Sequence, residues 1–194
     1  PMSIDYQLRQ MPWEHICKGA VDLGYTSHQA GTCGLHIHVS RLAFGETEKQ
    51  QDAVIARILY FFEKHWEELL KFSRRTQHQL DQWASRYGYK EQPMEILDHA
   101  KKGYHGGRYT CVNLTNQDTI EFRMFRGTLK SNTLIATLQL VDRICDVAIY
   151  LSDDELKALS WTTFVSGCQA PELVRYLKER RLYVNEPVMA EVEV

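Results

Sequence analysis

Two histidines one residue apart, His36 and His38, sit in the stretch Cys33-Gly34-Leu35-His36-Ile37-His38-Val39-Ser40. Apolar and polar side chains alternate there, which predicts a β-strand. A period of two sends Leu35, Ile37 and Val39 to one face and His36, His38 and Ser40 to the other. The strand rise then sets the two imidazoles about 6–7 Å apart at Cα. At that separation both can reach one metal ion or one polyanion. A strand whose polar face is simply solvated fits the same residues.

A second stretch, Thr119-Ile120-Glu121-Phe122-Arg123-Met124-Phe125-Arg126, also predicts a strand. Ile120, Phe122 and Met124 face one way; Glu121 and Arg123 face the other, joined at the far end by Phe125. Arg108 to Leu114 predicts a partner strand, linked to it by the short polar turn Thr115-Asn116-Gln117-Asp118. If the apolar sides all pack on helices, then His36, His38, Ser40, Arg108, Asn113, Glu121 and Arg123 share an open face. Histidine with carboxylate suits a divalent cation. Arginine suits phosphate or a carboxylate through bidentate contacts, and is very costly to bury without an anion. The face is therefore either a charged, ligand-filled cleft or plain solvated surface. With phosphate as co-ligand, magnesium or manganese is favoured over zinc, and no cysteine stands at zinc-ligand spacing.

The elements that must position these residues are mostly helical. Residues 1–11 read as irregular. Pro12 opens a short helix carrying Trp13, Ile16, Cys17, Ala20 and Val21, which stops at Gly24. Tyr25 to Gly31 reads as a polar loop. Thr47 is a plausible N-cap for one long helix from Glu48 to Phe72, with Val54, Ile55, Ile58, Leu59, Phe62, Trp66, Leu69 and Leu70 as a core stripe against a sheet. His65 beside that stripe reads as structural or solvated. Arg74 and Arg75 follow. They suit either cations at a helix C-terminus or a guanidinium pair presented to phosphates. Gln79 to Tyr87 predicts a helix with Leu80, Trp83 and Ala84 inward and Gly88 as its stop; Pro93 to Lys102 predicts another. Tyr104 to Gly107 is a turn. Leu134 to Leu151 is a strongly apolar helix, Ser152-Asp153-Asp154-Glu155 is a capping box, and Pro171 starts a last helix to about Arg181. The tail from Glu186 is expected to be flexible.

Composition narrows the partners. With 194 residues, 44% apolar residues and a net charge of -2, the chain fits one globular domain or one domain with a helical appendage. The charge argues against a general nucleic-acid binder. No apolar run reaches the roughly 18–20 residues that span a bilayer, and no secretory signal is visible. Five cysteines without a C-x-x-C pair fit reduced thiols in a cytoplasmic setting.

Taken together, C-G-L-H-I-H-V-S at 33–40, the long helix, R-Y-T-C-V-N-L at 108–114 and T-I-E-F-R-M-F-R-G-T-L at 119–129 resemble the amidoligase family, carboxylate–amine ligases related to glutamine synthetase and glutamate–cysteine ligase. The resemblance covers about residues 30–150. It implies an α+β fold, an antiparallel sheet with helices packed on one face, as in part of a glutamine synthetase-like catalytic domain. Residues 1–151 would be the catalytic core and 152–194 its helical extension. It implies ATP with Mg2+ or Mn2+, a small-molecule or peptide carboxylate, and an amine joined through an acyl phosphate. His36 and Glu121 match metal ligands. His38 and Ser40 match positions near the nucleotide phosphates, with Arg74 or Arg75 as a further cofactor contact. Arg123 and Arg108 match the catalytic phosphate-steadying arginines, and Asn113 and Arg126 substrate contacts.

Such ligases normally begin with a strand bearing two glutamates one residue apart. Here Glu46-x-Glu48 lies at a turn and helix start, and Glu191-x-Glu193 lies in the tail. The chain is accordingly expected to lack that strand. It was removed, or another chain supplies it in a homo-oligomer or a hetero-complex, or the protein is an inactive remnant. The rival readings are a nucleotide-binding or assembly module that kept the fold without catalysis, and a metal-dependent phosphoesterase, for which no further aspartate–histidine cluster is seen.

Overall fold

The structure is a computed structural model that describes residues 2–27, 33–103 and 107–183. The expected turn at Tyr104–Gly107 falls mostly outside the described residues, as do the end of the Tyr25–Gly31 loop, the tail and Glu191-x-Glu193.

Within the described residues the chain is α+β, with a small three-stranded antiparallel sheet among many helices. The N-terminus departs from the irregular segment expected there. Ile4–Arg9 forms helix α1, because the Ser3 hydroxyl accepts the Tyr6 amide and Asp5 pairs with Arg9 at 2.6 Å one turn on. Helix α2 is Trp13–Asp22, and strand β1 is Gly34–Ser40. Thr47 caps helix α3 (Glu48–Lys64) in a full capping box with Gln50.

The single long helix expected from Glu48 to Phe72 is in fact two. The chain breaks at His65, where φ -108° and ψ 32° end α3 and start α4 (Trp66–Ser73). The break wedges the His65 ring among aromatics, with centroids 4.7 Å from Phe61 and 5.7 Å from Trp161. Helix α5 is Gln77–Trp83, and α6 is Pro93–Lys101. Leu80 and Ala84 are buried as expected, but Trp83 is 38% exposed and turns outward.

Only Val112–Asn113 of the expected Arg108–Leu114 strand pairs regularly with the sheet, as β2. Upstream, Thr110 leaves the ladder to bridge Ser85, whose amide donates to the Tyr109 carbonyl at 2.9 Å. Strand β3 is Thr119–Arg126 and runs through the middle, giving the order β1-β3-β2. Helices α3 and α4 cover its apolar face: Phe62 meets Phe122 at 5.7 Å and Phe72 meets Phe125 at 5.9 Å between ring centroids.

The β1–β3 register contains a bulge. Ile37 pairs with Phe122 and Leu35 with Phe125, so His36 alone stands opposite both Arg123 and Met124. The extra residue inverts the alternation beyond it. Phe125, expected on the polar face, is 2% exposed in the core, and Arg126 moves to the polar side.

Helix α7 (Ser131–Tyr150) packs on α3. After it come α8 (Asp153–Ala158, with the expected capping box), α9 (Trp161–Ser166) and α10 (Pro171–Glu179). They join the same core through Leu156, Phe164, Leu173 and Leu177. Helix α9 had no periodicity long enough to announce it. Among the described residues no helix is long and apolar enough to cross a membrane.

Candidate functional site

Glu121, at the centre of β3, organises the polar face. It is opposite His38 on β1 and Asn113 on β2, so a central strand receives a partner from each side. Its side chain is only 8% exposed. Oε1 lies 2.9 Å from His36 Nδ1, 2.8 Å from Arg123 Nη1 and 3.7 Å from His38 Nε2. Oε2 accepts from Asn113 Nδ2 at 2.7 Å. Burial alone would raise the carboxyl pKa. The Asn113 hydrogen bond and the charge of Arg123, with the histidines behind them, outweigh it and hold the pKa below the usual carboxylate range. The group is thus a carboxylate kept charged inside protein.

His36 shifts the other way from what an ion pair would give. Burial lowers its pKa, the adjacent Arg123 lowers it further, and Glu121 only partly opposes them. The imidazole is therefore neutral at pH 7; Nδ1 faces Glu121 Oε1 at 2.9 Å, which can only accept, and Arg123 Nη1 at 3.5 Å, which can only donate, and the shorter contact favours the proton on Nδ1. Nε2 carries the lone pair. It points along Gly34, where an added Cβ would lie 2.9 Å from Nε2 and 2.6 Å from Arg75 Nη2. A glycine at position 34 lets these two side chains lie against the strand.

A groove of about 250 Å³ opens beside this cluster. Arg75, Arg123 and Arg126 line it, with Arg108, Trp83 and Tyr109 at the rim. Arg108 and Arg123 both lie over the Tyr109 ring, at 5.2 and 5.8 Å from its centroid. Arg75 and Arg126 have no carboxylate partner among the described residues. Arg75 donates to the Cys33 carbonyl at 3.4 Å and Arg126 to the Arg74 carbonyl at 3.3 Å. Burial, then Arg123 and Arg126, lower the Arg75 pKa, which is the mark of guanidiniums crowded without enough negative charge. Arg123 Nε is buried and has no hydrogen-bond partner. One carboxylate among several arginines leaves a receptacle for an anion.

The structure thus brings together His36, His38, Arg75, Arg108, Glu121, Arg123 and Arg126. It sets others apart. Ser40 lies at the end of β1, paired with Thr119 and away from the groove. Asn113 is 2% exposed, with both ends of its amide engaged, by Glu121 and by the Thr115 amide at 2.9 Å. It holds Glu121 from beneath and offers nothing to the groove. Arg74 ends α4 in the left-handed region, at φ 60°, and lines a neighbouring depression. Trp83, expected inward, lines the groove with Tyr109 and Gln79, and none of the three is a site residue in the sequence reading. The bend that takes Thr110 to Ser85 places Tyr109 there, and no periodicity encodes it.

A divalent metal does not fit the described residues as they stand. No group of three or more histidine, cysteine, aspartate or glutamate side chains among them is placed to hold a metal ion, and in the cluster of His36, His38 and Glu121 the imidazole nitrogens face the carboxylate itself. Both oxygens of Glu121 are already taken, and a cation binding Oε1 would have to displace Arg123.

No curated protein and no solved structure matches the chain. A family model described as "Putative amidoligase enzyme" matches residues 18–145. That span runs from α2 into α7 and takes in both histidines, Glu121 and every arginine of the groove, and the chain belongs to the amidoligase family.

Proposed function

We propose that the protein is an ATP-dependent carboxylate–amine ligase of glutamine synthetase-like design, with residues 1–151 as its catalytic core. The family supports a ligase in general. The observation that carries the finer reading is the crowding of Arg75, Arg123 and Arg126 around a groove whose described lining holds no carboxylate, the neighbouring Glu121 being already engaged by Arg123.

In the first step a substrate carboxylate oxygen attacks the terminal phosphorus of ATP, and ADP leaves. In the second an amine attacks the acyl carbon, phosphate leaves, and the amine nitrogen gives up a proton. Arg123, Arg126 and Arg75 neutralise the spread phosphoryl charge, which in a partly desolvated site is worth far more than in water. His36, neutral and oriented by Glu121, receives the amine proton at Nε2. His38, less enclosed and beside Thr119, is left to the nucleotide phosphates. Neither step is assigned to a metal.

Trapping tests this directly. With ATP, magnesium and a panel of carboxylic acids, ADP release should depend on the acid, and added hydroxylamine should accumulate the hydroxamate. Both signals should vanish in Arg123→Ala. Acid-independent ADP release, or nucleotide binding without any ADP, overturns the ligase reading; the second result favours a module that kept the fold without catalysis.

A further inference from the structure

The cations do not stop at the groove. Arg75 and Arg126 also line a shallow shelf of about 630 Å³, with Lys71 and Arg74 from the end of α4 and Arg180 from the end of α10. Glu67 is the only acid among the described residues lining it. None of these five cations has a carboxylate partner among the described residues. Elsewhere the pattern is the reverse, as in Arg86 with Glu63, Arg57 with Asp153 and Lys101 with Asp52.

Helix ends account for part of this. Arg180 Nε and Nη2 donate to the Lys71 carbonyl at 3.1 and 2.9 Å, and Lys71 Nζ to the Arg181 carbonyl at 3.2 Å. Those bonds tie the two helix ends together. They leave the positive charges unneutralised, in a chain whose net charge is -2.

We infer that the shelf holds an acidic peptide, so that the carboxylate substrate is the side chain or terminus of a glutamate- or aspartate-rich polypeptide and not a free small acid. This rests on the ligase reading for the chemistry, while the binding stands on the shelf itself. A small acid is fully served by the groove, and the three further cations beyond it, Lys71, Arg74 and Arg180, do nothing for such a ligand. A peptide threaded from the groove across Arg75 and Arg126 meets them in succession. Nucleic acid would match the charge but carries no aliphatic carboxylate to be activated.

Fluorescence anisotropy with a labelled hexaglutamate, in the absence of ATP, separates the possibilities. Hexaglutamate should bind more tightly than a single glutamate. The Lys71→Gln/Arg180→Gln double variant should weaken it about ten-fold, as expected for two partly solvated charge contacts, and leave free glutamate binding unchanged. Arg180→Lys keeps the charge and should restore most of the loss, which guards against an effect of misfolding. Equal affinity for glutamate and hexaglutamate overturns the inference. So does an unchanged double variant, or tighter binding of an RNA oligomer of matched charge. Hexaglutamate binding without hydroxamate formation leaves the inference standing and defeats the ligase reading. Hydroxamate from small acids without peptide preference does the opposite.

Discussion

Two buried glutamates, Glu63 and Glu121, are held in contrasting ways. Glu63 near the end of α3 has a fully buried side chain; Oε1 accepts the Tyr87 amide at 2.7 Å and Oε2 accepts Arg86 Nε at 2.8 Å. Its arginine then lies over the Trp66 ring at 4.9 Å. Every bond ends in the protein. Glu121 is nearly as buried, yet its partners His36 and Arg123 line a groove with further arginines beyond them. The neighbouring imidazoles repeat the contrast. His65 is packed among Phe61, Trp161 and the α3–α4 break, whereas His36 keeps a nitrogen toward open space. A closed carboxylate–arginine pair is structure, and one bordered by unpaired cations is a binding site.

The largest effect expected from breaking this contrast is on turnover. Glu121→Gln should lower hydroxamate formation about 100- to 1,000-fold, the scale for losing one preorganised electrostatic group, while the melting temperature moves little. Glu63→Ala should behave oppositely. It removes the acceptor of the Tyr87 amide and the carboxylate partner of Arg86, and a loss of about 3 kcal/mol in denaturant unfolding is expected, with activity per folded molecule preserved. Equal effects from the two substitutions would dissolve the distinction.

Acid titration probes the imidazoles. Burial and then Lys64 lower the His65 pKa to about 4, while the unfolded chain takes that proton near the ordinary value of about 6.5. Between those values the unfolded state binds more protons, so stability is complete above about pH 6.5 and falls as pH drops toward 4. The loss should reach up to about 3 kcal/mol, and His65→Phe should flatten the curve. The smallest effect is at Gly34. An alanine there meets Arg75 Nη2 and His36 Nε2, the far ends of two side chains, so isothermal titration should show pyrophosphate affinity about three- to ten-fold weaker with stability nearly unchanged.

Much of this was legible in the residues. The alternation of Leu35 to Val39 and of Ile120 to Met124 placed His36, His38, Glu121 and Arg123 on one face, because period two leaves little freedom once the apolar side is buried. The motifs' order also announced the family. What stayed hidden was what depends on a single backbone irregularity. The α3–α4 break at His65 lies inside an unbroken helical stripe, since one of the two aromatics that hold the ring, Trp161, comes from α9, almost a hundred residues on. Tyr109 reached the groove by pairing its neighbours with Ser85, a parallel bridge no local pattern signals. Asn113 matched a substrate contact through the resemblance, while its burial comes from pairing beside Glu121 across β2 and β3, which its own residue type does not signal.

The spare residue in β3 makes the site sensitive to chain length as well as to side-chain chemistry. Remove one of the two positions opposite His36, Arg123 or Met124, and strict pleating returns. Phe125 would then stay beside Leu35 in the core and Arg126 beside Gly34 on the polar side, because cross-strand partners share a face. Taking out Arg123 would leave Met124 alone opposite His36, and the Glu121 carboxylate would lose its guanidinium with the end of the strand unmoved.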